Sequence, residues 1–471
     1  MKRIINLSFG FLFFAVFATL QINAEVKLPA IFSDNMVLQQ QSEVVVWGWA
    51  KPNAHVNVSG SWNKKSYSTQ SDARGYWKVK IQTPTAGYTP YTLTVSDGKA
   101  VSLKNILIGE VWLCSGQSNM EMPMKGYNNQ PVEGGPEAIA NSYNKGIRCF
   151  TVKQVSTTVP QDDCEGTWEI AGPETTPNFT ATGYYFGRLL NNALDVPVGL
   201  IHCSWGGSRI EAWMTPSSLK DIPGKEIPQS DAEIKIPSQD PTVLYNGMLH
   251  PIVGFSIRGT IWYQGESNRE EPIIYIKKFD RMVHEWRNLW GLGEFPFYYC
   301  QIAPYSYRDG INSAYIREAQ AKGMEIPNTG MAVLMDAESP NGIHPPKKKD
   351  AGERLALWAL ANTYGMKKMH YRSPEVKSFE TEGRIAVITF DYTGINGLTS
   401  YGKEIKKFMI AGANKYFYPA KAALTGDKVY LFSPYVSQPV AVRYCFDDDS
   451  ATEIFTVEGN LPLSSFRTDD W

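Results

Sequence analysis

The sequence lacks a charge imbalance, a dense set of cysteines and any repeat of fixed period. Its 46 lysines and arginines almost equal its 47 aspartates and glutamates, so the formal net charge is -1. Proteins that bind nucleic acid usually present a basic face, so we expect no nucleic-acid partner. Six cysteines among 471 residues are too few for a fold built on disulfides. The sequence has no CxxC or HExxH motif, and we therefore expect neither a metal nor a cofactor.

Long apolar runs are also missing, except near the start of the chain. Two basic residues precede an apolar segment over 9–20, and a small residue, Ala24, follows it. This order predicts a secretory signal peptide cleaved after Ala24, and the apolar segment is too short to span a bilayer comfortably. We therefore expect a periplasmic or secreted protein without a membrane span. Export permits disulfides, and Cys149 and Cys164 flank a short polar segment that allows them to pair.

The pattern of apolar residues divides the mature chain into three regions. Residues 25–107 contain short β-branched and aromatic runs separated by Gly, Asn, Pro and Asp, which predicts an all-β, sandwich-like domain. Over 108–367, short continuous apolar runs alternate with segments of helical spacing, which favours a parallel sheet with helices on both faces. The β pattern returns over 368–471. The predicted fold class is therefore an α/β core between two all-β domains.

Polar turns follow the predicted core strands. Segments whose apolar residues recur at helical spacing lie between these strands. The helical segments cover 182–194, 274–290, 312–324 and 347–365. In open α/β sheets, ligands bind outside the carboxyl ends of the strands. The polar turns are "SGQSN" at 115–119, "SWGGS" at 204–208, "QGESN" at 264–268 and "DAESPNGIHPP" at 336–346.

These turns together hold the groups that nucleophilic acyl transfer needs. A serine hydroxyl becomes a good nucleophile when a base removes its proton, and histidine exchanges protons near neutral pH. The tetrahedral intermediate requires hydrogen-bond donors that face its oxyanion. The backbone N–H of Ser118, an N–H of a glycine turn and a side-chain amide are candidates for these donors.

Four of these stretches, and a fifth near the mature start, resemble one family. "GQSNM" at 116–120, "WGGSRIEAW" at 205–213, "WYQGESN" at 262–268 and "IHPP" at 343–346 resemble the sialate O-acetylesterase family. "LPAIFSDNMVLQQ" at 28–40 extends the resemblance over essentially the whole chain. This family is a branch of the SGNH hydrolases, so the resemblance implies a flavodoxin-like α/β/α core.

The resemblance also implies roles for individual residues. Ser118 becomes the nucleophile and His344 the base that activates it. The implied oxyanion donors beside the Ser118 N–H are the Gly207 N–H, with Gly206 as its substitute, and the side chain of Gln264, with Asn268 as the alternative amide.

One position departs from the wider SGNH pattern, which has an aspartate three residues before the histidine. Here that position is Asn341, and an amide brings no charge to stabilise an imidazolium ion. The site then works either as a Ser–His dyad or with a carboxylate from elsewhere. Glu266 is the first candidate for that carboxylate, followed by Asp336 and Glu338.

The expected function is that of an exported serine esterase, which removes O-acetyl groups from sialic acids through an acetyl-enzyme on Ser118. The alternatives are an acetylxylan or other glycan O-deacetylase, and a catalytically inactive glycan-binding protein. The expected partner is an O-acetylated sugar, and the oligomeric state stays open. We expect Arg209 and Glu211 to form a local ion pair, and Lys347–Lys349 to be a solvated helix start.

Overall fold

A computed structural model describes residues 26–338 and 342–471. The predicted signal peptide, 1–24, and Asn341 therefore lie outside the described residues. Within the two described ranges, no helix combines the length and the apolar character that crossing a bilayer requires.

The first region is built from strands and continues directly into the core. Strand β3 pairs antiparallel with both β4 and β6, and β2 pairs antiparallel with β5. Strand β7 belongs both to this region and to the central sheet, so the predicted boundary after residue 107 falls inside one continuous strand. The strands are β1 (Val37–Gln39), β2 (Glu43–Trp49), β3 (His55–Gly60), β4 (Ser66–Gln70), β5 (Tyr76–Gln82), β6 (Gly87–Ser96) and β7 (Ala100–Gly116).

The core is a sheet with the strand order β13-β12-β11-β7-β10-β8-β9. All neighbours in this order pair parallel, except the edge strand β9, which is antiparallel to β8. The prediction of an α/β core with additional all-β sheets is thus confirmed, with a central sheet that is mixed. The remaining core strands are β8 (Asn144–Thr151), β9 (Trp168–Ala171), β10 (Val198–Ser204), β11 (Gly259–Tyr263), β12 (Phe297–Cys300) and β13 (Thr329–Ala332).

Helices cover both faces of this sheet, because successive strand residues face opposite sides. On β11, Ile261 and Tyr263 pack into the core formed with α3 and α7, whereas Trp262 packs into the core formed with α5 and α6. The helices are α1 (Ser118–Glu121), α2 (Gly135–Ala140), α3 (Ala181–Leu194), α4 (Pro216–Leu219), α5 (Pro272–Trp290), α6 (Ala314–Lys322) and α7 (Lys348–Trp358). Short 3-10 helices cover Thr176–Asn178, Ile210–Trp213, His250–Ile252, Glu266–Asn268 and Gly323–Glu325, and π-helical turns cover Tyr245–Leu249 and Ala359–Thr363.

Cys149 and Cys164 are both free thiols, so the disulfide that the sequence allows is absent. The physical reason is that the two side chains pack against different cores. Cys149 of β8 belongs to the core beneath α3 and α7, and Cys164 packs against the opposite one.

The C-terminal region is again all-β and is held firmly against the core. Arg317 of α6 is fully buried and donates to the backbone carbonyl of Asp447, and the Asp448 carboxylate accepts from Ser313 N at 2.7 Å. The strands are β14 (Glu375–Glu382), β15 (Ile385–Asp391), β16 (Leu398–Thr399), β17 (Phe408–Ala411), β18 (Phe417–Pro419), β19 (Lys421–Thr425), β20 (Lys428–Phe432), β21 (Ala441–Tyr444), β22 (Phe455–Thr456) and β23 (Phe466–Arg467).

Candidate functional site

The carboxyl ends of the three central strands are level with one another. Gly116, the last residue of β7, pairs with Ser204 at the end of β10 and with Tyr263 at the end of β11. Because these strands are parallel, the turns that follow them leave the sheet at the same edge. Three of the polar turns singled out in the sequence are therefore neighbours in space.

A tight strand-to-helix turn holds Ser118 at this edge. Gly116 has a φ of +136°, and a Cβ at this position would lie 2.2 Å from the carbonyl oxygen of Tyr263. Gln117 N donates to the same carbonyl at 2.9 Å, and the Gln117 side-chain oxygen accepts from Gly265 N at 3.2 Å. Helix α1 then begins at Ser118. The turn between the strand and the nucleophile candidate is thus tied to the neighbouring strand end at several points.

The glycine turn after β10 lies directly against this serine. Ser208 N donates to the Trp205 carbonyl at 3.2 Å, and Gly207 has a φ of +71°, which favours glycine. A Cβ at Gly206 would lie 3.4 Å from the Cβ of Ser118. The Gly206 N–H donates to the Glu121 carboxylate of α1. The N–H of Gly206, one of the two glycines considered as oxyanion donors, is therefore already engaged in a hydrogen bond within the protein.

His344 approaches the same edge and is held by residues of the loop after α1. Its Nδ1 donates to Oε1 of Gln130 at 2.5 Å, and its ring meets the ring of Tyr127 edge-on, with centroids 5.2 Å apart. Burial, together with the nearby charge of Lys348, lowers the pKa of His344 to about 4. The imidazole is therefore neutral at neutral pH, the state that a general base requires.

Four of the predicted site residues line one open pocket of about 480 Å³: Ser118, Gly207, Glu266 and His344. Asp336 and Glu338 line a different cavity, and the Asp336 carboxylate forms a bidentate ion pair with Arg354 at 2.6 and 2.7 Å. The pocket is completed by Gln117, Glu121, Tyr127, Gly206, Ser267, Arg269, Tyr307 and Ile343.

A buried polar network lies beneath the pocket and is centred on Asn119. The Asn119 amide nitrogen donates to Glu266 at 2.6 Å and to the Ile343 carbonyl at 3.3 Å. Its amide oxygen accepts from Lys348 Nζ. Asn119 follows Ser118 and Ile343 precedes His344, so one side chain connects the backbones of the nucleophile and base candidates.

The titratable groups of this network, Lys348 and Glu266, are buried. Lys348 is only 1% exposed, so the prediction that Lys347–Lys349 is a solvated helix start is wrong for this lysine. Burial lowers the pKa of Lys348 to about 7 and raises the pKa of Glu266 above its ordinary value. One Glu266 oxygen bonds to Asn119, and the other has no partner among the described residues.

The two amides predicted as oxyanion donors lie behind the pocket rather than in its wall. Gln264 Nε2 donates to the Ser208 carbonyl at 3.1 Å and to Asn268 Oδ1 at 2.7 Å. Asn268 Nδ2 donates to Glu211 at 2.9 Å and to Glu271 at 2.7 Å. The amide N–H groups of both side chains therefore already donate hydrogen bonds within the protein, and these bonds support the glycine turn.

Carboxylates neutralise both arginines near the pocket. Arg209 pairs with Glu211, as predicted, and also with Glu270 and Glu271. Arg269 bonds to Asp309 at 2.5 Å. These guanidinium groups are therefore held within protein ion pairs.

Comparisons of the sequence and of the structure identify related proteins. Residues 108–357 match the family model described as carbohydrate esterase, sialic acid-specific acetylesterase. The chain is 30% identical to a mouse sialate O-acetylesterase, over 77% of this chain and 78% of the relative. It is 29% identical to the human sialate O-acetylesterase, over 78% of this chain and 76% of the relative. The crystal structure of a carbohydrate acetylesterase from Xanthomonas citri is 37% identical and superposes with a TM-score of 0.86, covering 95% of this chain and 100% of that one.

The resemblance seen in the four short motifs is thereby confirmed over most of the chain. The family match covers more than half of the sequence and includes Ser118, the glycine turn and His344. The motifs that carried the resemblance are the same stretches that line the pocket. The chain belongs to the sialic acid-specific acetylesterase family of carbohydrate esterases and is a carboxylic ester hydrolase.

Proposed function

We propose that this protein is a sialate O-acetylesterase, which removes acetyl groups from sialic acids with Ser118 as nucleophile and His344 as base. The observation that carries the proposal is the presence of both side chains, with Gly207, in the wall of one open pocket at the sheet edge. The names of the mouse and human relatives support the substrate class.

In the proposed reaction, His344 Nε2 takes the Ser118 proton while Ser118 Oγ attacks the acetyl carbonyl carbon. The N–H groups of Ser118 and Gly207 stabilise the oxyanion of the tetrahedral intermediate. The carbon–oxygen bond to the sugar then breaks, and His344 returns the proton to the leaving hydroxyl. Water, activated by the same histidine, attacks the acetyl-enzyme and releases acetate. In this route, side chains and backbone of the protein supply the nucleophile, the base and the oxyanion donors, and water is the second reactant.

Two neutral amides support the base in this scheme. The Gln130 side-chain oxygen accepts a hydrogen bond from the Nδ1–H of His344, which leaves Nε2 as the nitrogen that we assign to proton transfer. Asn119 connects Glu266 with the backbone just before His344. We therefore assign Glu266 a positioning role that acts through Asn119.

We further assign the core to the flavodoxin-like SGNH hydrolases. When the edge strands β8 and β9 are set aside, β7, β10, β11, β12 and β13 count as strands 1 to 5 of the chain. Their spatial order is then 2-1-3-4-5, the flavodoxin-like order, in which ligands bind next to strand 1. Ser118, directly after β7, has the position that this order favours for a reacting group.

We also propose that the protein is exported after cleavage near Ala24, on the strength of its basic and apolar N-terminal sequence. We also keep as a proposal the division into a β-sandwich-like domain over 25–107, a catalytic domain over 108–367 and a C-terminal β domain over 368–471.

The decisive experiment compares Ser118→Ala with Ser115→Ala on O-acetylated sialic acids. Ser115 is also a serine at the end of β7, but it is buried and outside the pocket wall. Loss of turnover in Ser118→Ala, with turnover retained in Ser115→Ala, supports the nucleophile assignment. Full activity of Ser118→Ala contradicts it. Acetylated xylo-oligosaccharides in the same panel test the alternative substrate, and a preference for them overturns the sialic acid assignment.

A further inference from the structure

A second, larger cavity of about 1220 Å³ lies between the hydrolase core and the C-terminal β region. One wall comes from the segment after β12, including Tyr305 and Tyr307. The opposite wall comes from the C-terminal region, including Tyr401, Phe455 and Asn460. Ser118, His344 and Gly207, which carry the proposed reaction, do not line this cleft, so the proposed reaction does not account for it.

The cleft and the catalytic pocket adjoin each other. Tyr307 lines both cavities, and Gly342, which lines the cleft, stands two residues before His344 of the pocket. The Tyr307 hydroxyl is buried and has no hydrogen-bond partner among the described residues. A buried hydroxyl usually has a partner, so this group is suited to a polar ligand at the junction.

The outer wall presents an aromatic ring that is exposed and yet fixed. Tyr401 is 60% exposed, although its hydroxyl donates to Asn460 at 2.6 Å and its ring packs 5.7 Å from that of Phe455. Its backbone has a φ of +54°, a conformation that bulky residues rarely adopt and that costs free energy. The Tyr401 ring is therefore exposed on one side and held in one orientation, as stacking against a ligand requires.

The charge of the cleft restricts what it binds. The described residues that line it include six carboxylates and three cationic side chains. Arg354 compensates one of the carboxylates, Asp336, and the remaining negative charge of the lining disfavours an anionic ligand. A neutral sugar chain fits this field, since its hydroxyls bond to carboxylates and its apolar ring faces stack on tyrosines. The contacts of Arg317 and Asp448 described above hold the two walls together, so the cleft is a fixed feature of the fold.

We infer that this cleft binds uncharged sugar residues attached to the acetylated sugar, so that the enzyme acts on glycan-linked rather than free acetylated sugars. The inference rests on the proposed function of the adjoining pocket. Tyr401 forms the stacking platform, and Tyr307 marks the junction between the bound chain and the reacting sugar. Two glycans meet this description: a neutral chain that ends in an acetylated sialic acid, and a neutral polysaccharide that is itself acetylated.

The experiment measures kcat and KM on an acetylated monosaccharide and on the same sugar within an oligosaccharide, for both glycan types. We expect the wild type to prefer the oligosaccharide, and Tyr401→Ala to raise KM on it about tenfold, the loss expected for one aromatic contact. KM on the monosaccharide should stay unchanged. Tyr435→Ala, which alters an exposed tyrosine outside the residues lining the cleft, is the matched control and should change neither value.

A binding measurement separates this inference from the proposed function. Calorimetric titration of Ser118→Ala protein with deacetylated neutral oligosaccharides requires no turnover, so it decides the inference even where no acetyl ester is hydrolysed. Binding that weakens with Tyr401→Ala in this background supports the cleft. Absence of binding, or an equal loss with Tyr435→Ala, overturns it, as does a wild-type enzyme without preference for chain length.

Discussion

His344 and Gln130 share a hydrogen bond of 2.5 Å, in which the imidazole Nδ1 donates to the amide oxygen. This contact fixes the ring orientation and the tautomer, as the carboxylate of a Ser–His–Asp triad does. Unlike a carboxylate, the amide brings no negative charge to an imidazolium ion. Gln130 thus supplies the positioning part of that role without the electrostatic part.

Removing this contact should slow catalysis without abolishing it. Gln130→Ala leaves Ser118 and His344 in place but removes one restraint on the ring, so we expect kcat to fall about tenfold to a hundredfold. Gln130→Glu should instead raise the pKa of His344, because a carboxylate stabilises the charged ring. Steady-state kinetics across pH test both effects. Gln41→Ala, at an exposed glutamine, serves as control, and unchanged kcat in Gln130→Ala contradicts the role.

The lowered pKa of His344 predicts that the acid limb of the kcat/KM profile lies at an unusually low pH. A base acts in its neutral form, and the pKa of this histidine lies at about 4 instead of near 6.5. The value of kcat/KM should therefore remain high as the pH falls below 6 and decline only near pH 4. Lys348→Met removes a positive charge that contributes to the shift, so its acid limb should move upward. A wild-type limb near pH 6.5 contradicts this prediction.

Asn119 should matter for stability as much as for activity. Asn119→Leu removes the partner of both Glu266 and Lys348, which are buried, and leaves each of them without that hydrogen bond. Unpaired buried groups of this kind cost roughly 1–3 kcal/mol each, so we expect about 2–6 kcal/mol of lost stability in urea unfolding. Asn178→Ala, which loses only an exposed contact to Lys125, should change stability by less than about 0.5 kcal/mol.

Periodicity in the sequence predicted the elements well because local spacing encodes them. The segment 182–194 corresponds to Ala181–Leu194, and 274–290 corresponds to Pro272–Trp290, each with one apolar face against the sheet. The polar turns after the core strands were found because parallel strands end at one edge. Ser118, Gly207, Glu266 and His344 consequently meet in the pocket wall.

Other features depend on contacts between distant parts of the chain, which spacing does not encode. Gln130 meets His344 from 214 positions away, and Lys348 meets Asn119 from 229 positions away. A lysine at a helix start is usually solvated, and its burial is visible only when the network around Asn119 is assembled. Similarly, β7 crosses the predicted boundary at residue 107, because a change from alternating to continuous apolar residues occurs within one strand.

A buried lysine also supports the loops behind the glycine turn. The Nζ of Lys278 on α5 lies 2.5 Å from Oε1 of Glu211 and 2.7 Å from Oε1 of Glu271. The Lys278 side chain is only 1% exposed. Burial acts to raise the pKa of Glu211, but the charges of Lys278 and Arg209 outweigh burial and hold this pKa well below its usual range. Lys278→Met should therefore cost about 3–5 kcal/mol at neutral pH, because it leaves buried carboxylates without their main counter-ion.

The pH dependence of that loss follows from the sign of the shift. A carboxyl whose pKa is lower in the folded state stabilises the fold above its unfolded pKa of about 4.3, and this contribution disappears as the pH falls further. The stability difference between wild type and Lys278→Met should therefore shrink when urea unfolding is repeated at successively lower pH below about 5. Lys277→Met, at the exposed neighbouring position of α5, should show little effect at any pH. A difference that stays constant with pH would mean that Lys278 acts through packing alone, because only the charge of Glu211 makes the loss depend on protonation.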